Sequence, residues 1–111
     1  DRVLMTLGQL LLNRFRIEDL RARWGGEEFT VVLVNETHGV AQKALQRVLN
    51  EFSQIDFYGD GGEVFHVTFS AGIAQFPHDG VDAESLLRTA DARLMNAKQS
   101  GRNRIIHAPV R

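Results

Sequence analysis

The residues best equipped to do chemistry lie in the run Arg21-Ala22-Arg23-Trp24-Gly25-Gly26-Glu27-Glu28-Phe29, which leads into the apolar stretch Thr30-Val31-Val32-Leu33-Val34. A Gly-Gly pair between two extended segments suits a tight hairpin, because glycine reaches positive φ without steric cost. It also leaves bare backbone that a bulky ligand can approach. Two acids at the mouth of such a turn repel one another by about 4 kcal/mol at ~4 Å and an effective dielectric of ~20, unless water or a cation lies between them. The cluster therefore reads in one of two ways. It is a divalent-metal site facing an anionic substrate, or a surface hairpin whose acids are simply solvated.

Cations gather at two other places. Arg14, Arg16, Arg21 and Arg23 crowd the segment before the glycines, and from Lys98 to the end Lys98, Arg102, Arg104 and Arg111 occur with no acid among them. Local clusters of this kind suit phosphates better than a duplex backbone, although ordinary solvated surface explains any one of them. The formal net charge of −1 gives no reason to expect DNA or a membrane surface as partner. Cysteine is absent, which removes disulfides, thiol catalysis and zinc-thiolate sites. His38, His66, His78 and His107 show no ligand spacing. No apolar run approaches the roughly 18 residues of a membrane span, and no signal peptide is visible. At 111 residues, 43% of them hydrophobic, the chain makes one modest core. It begins without Met and already inside a helical pattern, as a piece of something longer would.

The elements that must position these residues can be read from hydrophobic period. Val3, Leu4, Leu7, Leu10, Leu11 and Phe15 predict an amphipathic helix over about residues 1–15. A short strand near 20–24 and a second at 28–34 flank the glycines, the second apolar without alternation and so buried on both faces. Asn35-Glu36-Thr37 supplies an N-cap for a second helix with Val40, Ala41, Ala44, Leu45, Val48, Leu49 and Phe52 on its inner face. Gly59-Asp60-Gly61-Gly62 separates a short extended segment at 55–58 from a long strand at 63–74. In that strand Phe65, Val67, Phe69, Ala71 and Ile73 alternate with His66, Thr68, Ser70 and Gly72, giving one strongly apolar face. Asp82 caps a third helix with the stripe Leu86, Leu87, Ala90, Leu94 and Ala97; Lys98 falls in its last turn and Gly101 at C′. Arg104-Ile105-Ile106-His107 closes the sheet. The fold class expected is α/β (α+β), a sheet covered by helices.

Three blocks in order now resemble a known family. Arg23-Trp24-Gly25-Gly26-Glu27-Glu28-Phe29 resembles the signature of GGDEF domains, the bacterial diguanylate cyclases, with Glu for the more usual Asp at the third position. Val67-Thr68-Phe69-Ser70-Ala71-Gly72-Ile73-Ala74 resembles the family's long strand. Ala90-Asp91-Ala92-Arg93-Leu94-Met95-Asn96-Ala97-Lys98, followed by Gly101-Arg102-Asn103-Arg104, resembles its closing helix and phosphate-binding turn, with Met95 where the family usually has Tyr. The resemblance runs from Asp1 to about His107 and implies a fold similar to nucleotidyl cyclases and the polymerase palm.

It also implies an activity. In that family two GTP molecules, one on each domain of a homodimer, are joined into cyclic di-GMP with release of pyrophosphate. Carried over, Glu27 binds Mg²⁺ (or Mn²⁺) and helps deprotonate the attacking 3′-hydroxyl, and Glu28 is a second acid of the metal site. Neighbouring side chains in extended backbone point to opposite faces, which ranks Glu27 above Glu28. Gly25 and Gly26 let the nucleotide lie against the backbone, while Lys98 and Arg102 hold the triphosphate. On spacing alone those two are helix-end cations satisfying the dipole. Arg16-Ile17-Glu18-Asp19 has the Arg-x-x-Asp form of the family's inhibitory site for cyclic di-GMP, to which Arg47 on the following helix adds. Elsewhere such a pattern is usually a loop ion pair.

The family's domain starts earlier than Asp1, so the resemblance implies a partial domain lacking the first strand and helix. That first strand carries an Asp sharing the metal, and the segment after it carries a Lys for the phosphates with an Asn and an Asp for guanine. By this reading the 111 residues alone bind ligand without turnover, and exposed sheet edges favour self-association. The parent is a cytoplasmic bacterial protein with an upstream sensory or receiver domain. The alternatives are a non-catalytic cyclic di-GMP receptor using Arg16 and Asp19, and a plain dimerisation module.

Overall fold

A two-residue period along the inner strands sorts the side chains into two layers, and helices cover both. The computed structural model describes residues 2–14, 20–25, 28–34 and 38–107. Among them the order is α1 (Arg2–Arg14), β1 (Leu20–Gly25), β2 (Glu28–Val34), α2 (His38–Ser53), β3 (Phe57–Tyr58), β4 (Val64–Phe65), β5 (Ser70–Phe76), α3 (Ala83–Gln99) and β6 (Ile105–Ile106). The four-stranded sheet runs β1-β2-β5-β6. β1 and β2 form an antiparallel pair, whereas β2–β5 and β5–β6 are parallel and are joined through helices, as parallel neighbours must be.

On one face Phe29 and Val31 of β2 and Ala71 and Ile73 of β5 pack with Leu7 and Leu11 of α1 and Ala41, Leu45, Val48, Leu49 and Phe52 of α2. On the other, Val32 and Ala74 meet Leu86 and Ala90 of α3. β2 is thus buried on both faces, as its unbroken apolar run predicts. β2 and β5 are bonded directly from Glu28↔Ser70 to Val34↔Phe76, so no open seam lies inside the sheet.

Two expectations are corrected. The strand expected at 63–74 is two strands. β4 pairs with β3 in a separate two-stranded sheet, Phe57↔Phe65 and Tyr58↔Val64, while β5 joins the main sheet. The glycine-rich turn commits the first part to a local hairpin (Gly59 N–H to Glu63 O, 2.9 Å), and the second part takes its partners from β2 and β6. One straight ladder cannot serve both. Val40, expected on the inner face of α2, is 59% exposed. It sits one helical step, roughly 100°, before Ala41, where the buried stripe begins.

Helix α3 is held at both ends. Asp82 forms a capping box, its carboxylate accepting from Ser85 N–H at 2.7 Å. At the other end Ser100 is the C-cap, Gly101 takes φ 125°, and Arg102 N–H donates to Ala97 O at 2.9 Å. That closure is a Schellman motif, in which C′ adopts a conformation that L side chains resist.

Candidate functional site

Alternation decides which side chains of the hairpin meet α3. Glu28 shares a strand face with Thr30 and Val32, and Val32 packs on α3. Thr30, 3% exposed, donates through Oγ1 to Asp91 Oδ1 of α3 at 3.3 Å. Two helical turns further along the same face of α3 comes Lys98, whose Nζ donates to Glu28 Oε1. The pair is partly open to solvent, with Glu28 47% and Lys98 28% exposed. An ion pair of that exposure adds at most about 1 kcal/mol to stability, so both groups can change partner at little cost to the fold.

Glu28 borders a small cleft of about 40 Å³ lined also by Thr68, Phe69, Ser70, Arg102 and Asn103. Arg102 and Asn103 are consecutive non-glycine residues with left-handed backbone, φ 61° and 49°. Asparagine visits this region readily; for arginine it costs about 1–2 kcal/mol. Three hydrogen bonds hold the turn there. Arg102 N–H closes on Ala97 O at 2.9 Å, Asn103 N–H donates to Ser70 Oγ at 3.1 Å, and Arg104 Nε donates to Arg102 O at 3.1 Å.

Of the residues singled out from the sequence, the fold brings Glu28, Lys98 and Arg102 to one place. Gly25 closes β1 directly opposite Glu28. Gly26 and Glu27 themselves lie outside the described residues, as do Arg16 and Asp19. Arg47 is exposed on α2, the helix that packs on the sheet face opposite Glu28 and Lys98, and it takes no part in this cleft. Lys98 does more than satisfy a helix end: it is the counter-charge of the hairpin acid.

Spacing did not single out Ser70 or Asn103, although both stand in the blocks quoted above. A serine in an otherwise apolar strand and an asparagine just past a helix-ending glycine are the signals that point to them. Behind the site Arg93 is 5% exposed, with Nη1 donating to Ile73 O at 2.7 Å and the guanidinium forking onto Asp79. Gly72 lets α3 lie directly on β5: a Cβ there would overlap Ala90 O and come 2.5 Å from Leu94 N.

A sequence model of the family described as diguanylate cyclase, GGDEF domain, matches residues 1–104. The chain belongs to the GGDEF family. GGDEF relatives agree over nearly its whole length. Diguanylate cyclase A of Treponema denticola is 33% identical over 105 residues, covering 95% of this chain and 28% of that protein. The response regulator PleD of Caulobacter vibrioides is 34% identical over 107 residues, 96% of this chain and 24% of the relative. The chain therefore spans about a quarter of the length of these curated relatives. Among solved structures, the GGDEF domain of DgcB from Caulobacter crescentus in complex with c-di-GMP superposes with a TM-score of 0.73 at 25% identity, over 96% of this chain and 63% of that one. The mixed sheet covered by helices is the GGDEF fold. No helix among the described residues is long and apolar enough to cross a membrane.

GGDEF cyclases are nucleotide enzymes that use divalent metals, and the donor chemistry here suits one. Mg²⁺ is usually held by one or two carboxylates completed by substrate phosphates, rather than by an all-protein cage. Glu28 offers one such carboxylate, held by Lys98 in this structure, and no cluster of three or more His, Cys, Asp or Glu able to hold an ion occurs among the described residues.

Proposed function

We propose that this domain, in its parent protein, condenses two GTP molecules into cyclic di-GMP. In each half-reaction the 3′-hydroxyl oxygen of one nucleotide bonds to the α-phosphorus of the other. The bond from that phosphorus to the β-phosphate bridge breaks, the hydroxyl proton is lost, and pyrophosphate leaves. Two such steps close the ring, with one domain of a homodimer presenting each GTP.

The observation that carries this reading is the meeting of Glu28 with Lys98 beside Arg102, at the Gly25 end of the β1–β2 pair. When nucleotide binds, Lys98 exchanges the Glu28 carboxylate for a phosphate oxygen, and Arg102 takes a second. Together they neutralise charge that grows on the departing pyrophosphate. Glu28 and Glu27 would hold Mg²⁺ (or Mn²⁺). A metal so held polarises the phosphoryl group and lowers the pKa of the attacking hydroxyl. Glu27 assists loss of that proton, and Gly25 and Gly26 leave room for the nucleotide against the backbone.

Product feedback belongs to the same proposal. Arg16 and Asp19 bind cyclic di-GMP, arginine through its planar fork and aspartate by accepting from guanine nitrogens, with Arg47 contributing from α2. An upstream regulatory domain in the parent fits the likeness to a response regulator. Assayed alone, the 111 residues bind ligand without turnover. A second reading, a receptor that binds cyclic di-GMP without making it, draws support from the neighbour's complex with that nucleotide.

The deciding experiment supplies the full-length protein with GTP and Mg²⁺ and follows cyclic di-GMP by chromatography. The cyclase reading expects product from the wild type and none from Glu27→Gln. Cyclic di-GMP binding that is lost in Arg16→Ala, without any turnover in the wild type, selects the receptor. Turnover that survives Glu27→Gln removes the role given to Glu27.

A further inference from the structure

Ser70 stands between the two halves of the site. By strand register it is the cross-strand neighbour of Glu28. Its Oγ, on a side chain buried to 5% exposure, accepts the Asn103 N–H at 3.1 Å. That N–H belongs to the second of the two left-handed residues, next to Arg102. The turn cannot rely on glycine at these positions, so bonds from outside the turn must select its conformation. The bonds from Ala97 O and Arg104 Nε come from the chain immediately before and after the turn. The Ser70 bond ties the turn itself to the sheet, thirty-three residues away, on the strand that neighbours the acid, beside the bond from Ala71 N–H to Arg104 O at 3.0 Å that holds the residue after the turn.

We propose that Ser70 is a positioning residue, which pins the Arg102–Asn103 turn to β5 so that the Arg102 guanidinium stands at the same cleft as Glu28 and Lys98. The proposal rests on the reading of Lys98 and Arg102 as phosphate ligands. Its ligand is the triphosphate of the nucleotide, or the pyrophosphate it releases. Ser70 acts through Arg102 and takes no proton from the substrate. Without its hydroxyl the turn samples other backbone conformations, and Arg102 is at the cleft for only part of the time. Affinity falls by the fraction lost.

The test titrates Mg²⁺-pyrophosphate into the full-length protein by calorimetry for the wild type, Ser70→Ala, Arg102→Ala, the double variant and Lys98→Ala. Melting temperature is measured alongside. Ser70→Ala should weaken pyrophosphate binding about fivefold, the worth of one ordinary hydrogen bond. In the Arg102→Ala background the same change should cost less than about twofold, because residues acting as one unit are not additive. Should Ser70→Ala not fold, Ser70→Cys, with similar volume and a poor acceptor, replaces it in the cycle. Three results overturn the proposal. Wild-type affinity in Ser70→Ala, with weakened binding in Arg102→Ala, removes Ser70 and leaves the phosphate reading standing. An equal loss with and without Arg102 shows a structural effect that does not pass through the arginine. Wild-type affinity in both Lys98→Ala and Arg102→Ala removes the phosphate reading and this proposal with it.

Discussion

Lys98 in the last turn of α3 donates to Glu28 at the first residue of β2, across seventy residues of chain. The pair exists because two periodicities coincide. Alternation turns Glu28 toward α3, and helical spacing returns Lys98 to the face that Asp91 uses for Thr30. Under the function proposed above, this partly exposed pair gives up its mutual contact for a phosphate and a metal ion.

If that exchange occurs, Lys98→Ala in the full-length protein lowers kcat/KM for GTP by about a hundredfold, the usual loss when one donor to a developing anion is removed. Its stability should stay within about 1 kcal/mol of wild type, because the pair is partly solvated. Steady-state kinetics together with urea denaturation check both halves. Unchanged kinetics would leave the cation with no role at the phosphates.

Arg93 and Asp79 present the opposite case. Both their contacts are 3.0 Å long, and the side chains are only 6% and 5% exposed. Asp79 also accepts from Gln75 N–H at 2.8 Å, so the ion pair ties the loop before α3 to the end of β5. Replacing Arg93 with Met strands a buried carboxylate and should cost about 3–5 kcal/mol. The double variant Asp79→Leu/Arg93→Met should lose less than the sum of the two single changes. Chemical denaturation of the four proteins measures the coupling.

Gly72→Ala should destabilise the domain by about 3 kcal/mol, at the upper end for overpacking. The added methyl would meet the Ala90 carbonyl and Leu94 N, backbone atoms that cannot swing aside. Thermal unfolding checks this, and a melting temperature equal to wild type would mean that α3 does not rest on β5 as described.

The cap of α3 carries a pH signature. The Ser85 backbone N–H, then the Ser85 hydroxyl, and beyond them the Arg88 charge hold the Asp82 carboxyl below its ordinary value of 3.8, with slight desolvation acting the other way. A folded-state pKa that is depressed contributes stability above the unfolded value and loses it as pH falls through the folded one. Wild type should therefore melt a few degrees above Asp82→Ala at about pH 6, and the gap should narrow as pH falls below the ordinary carboxyl value of 3.8. Melting curves across that range read the difference, and a constant gap would show that the cap does not depend on ionisation.

Much of the architecture was legible because local rules act over a few residues. The three helices, the pairing of β1 with β2, the Asp82 cap and the Gly101 terminus each follow from period, from turn residues or from a side chain that satisfies its own neighbours. The expected strand at 63–74 failed for the complementary reason. Alternation continues smoothly through residues 66–69, but the hydrogen-bond partners on either side of them belong to different sheets. Nothing in the line of the sequence marks Arg93 within α3 and Asp79 in the preceding loop as partners, and only the fold makes them a buried pair.

By itself the sequence determined the family, the parts and the types of group that could handle a nucleotide, since composition, spacing and caps are properties of the chain written out in line. The tertiary structure decided which of those groups stand together. It joined Glu28 to Lys98, set Arg102 at their cleft, left Arg47 on the far side of the sheet and brought Ser70 in as the tie between strand and turn. Contacts between residues thirty to seventy positions apart depend on strand order and on the face each strand shows, and neither is recorded in any local stretch.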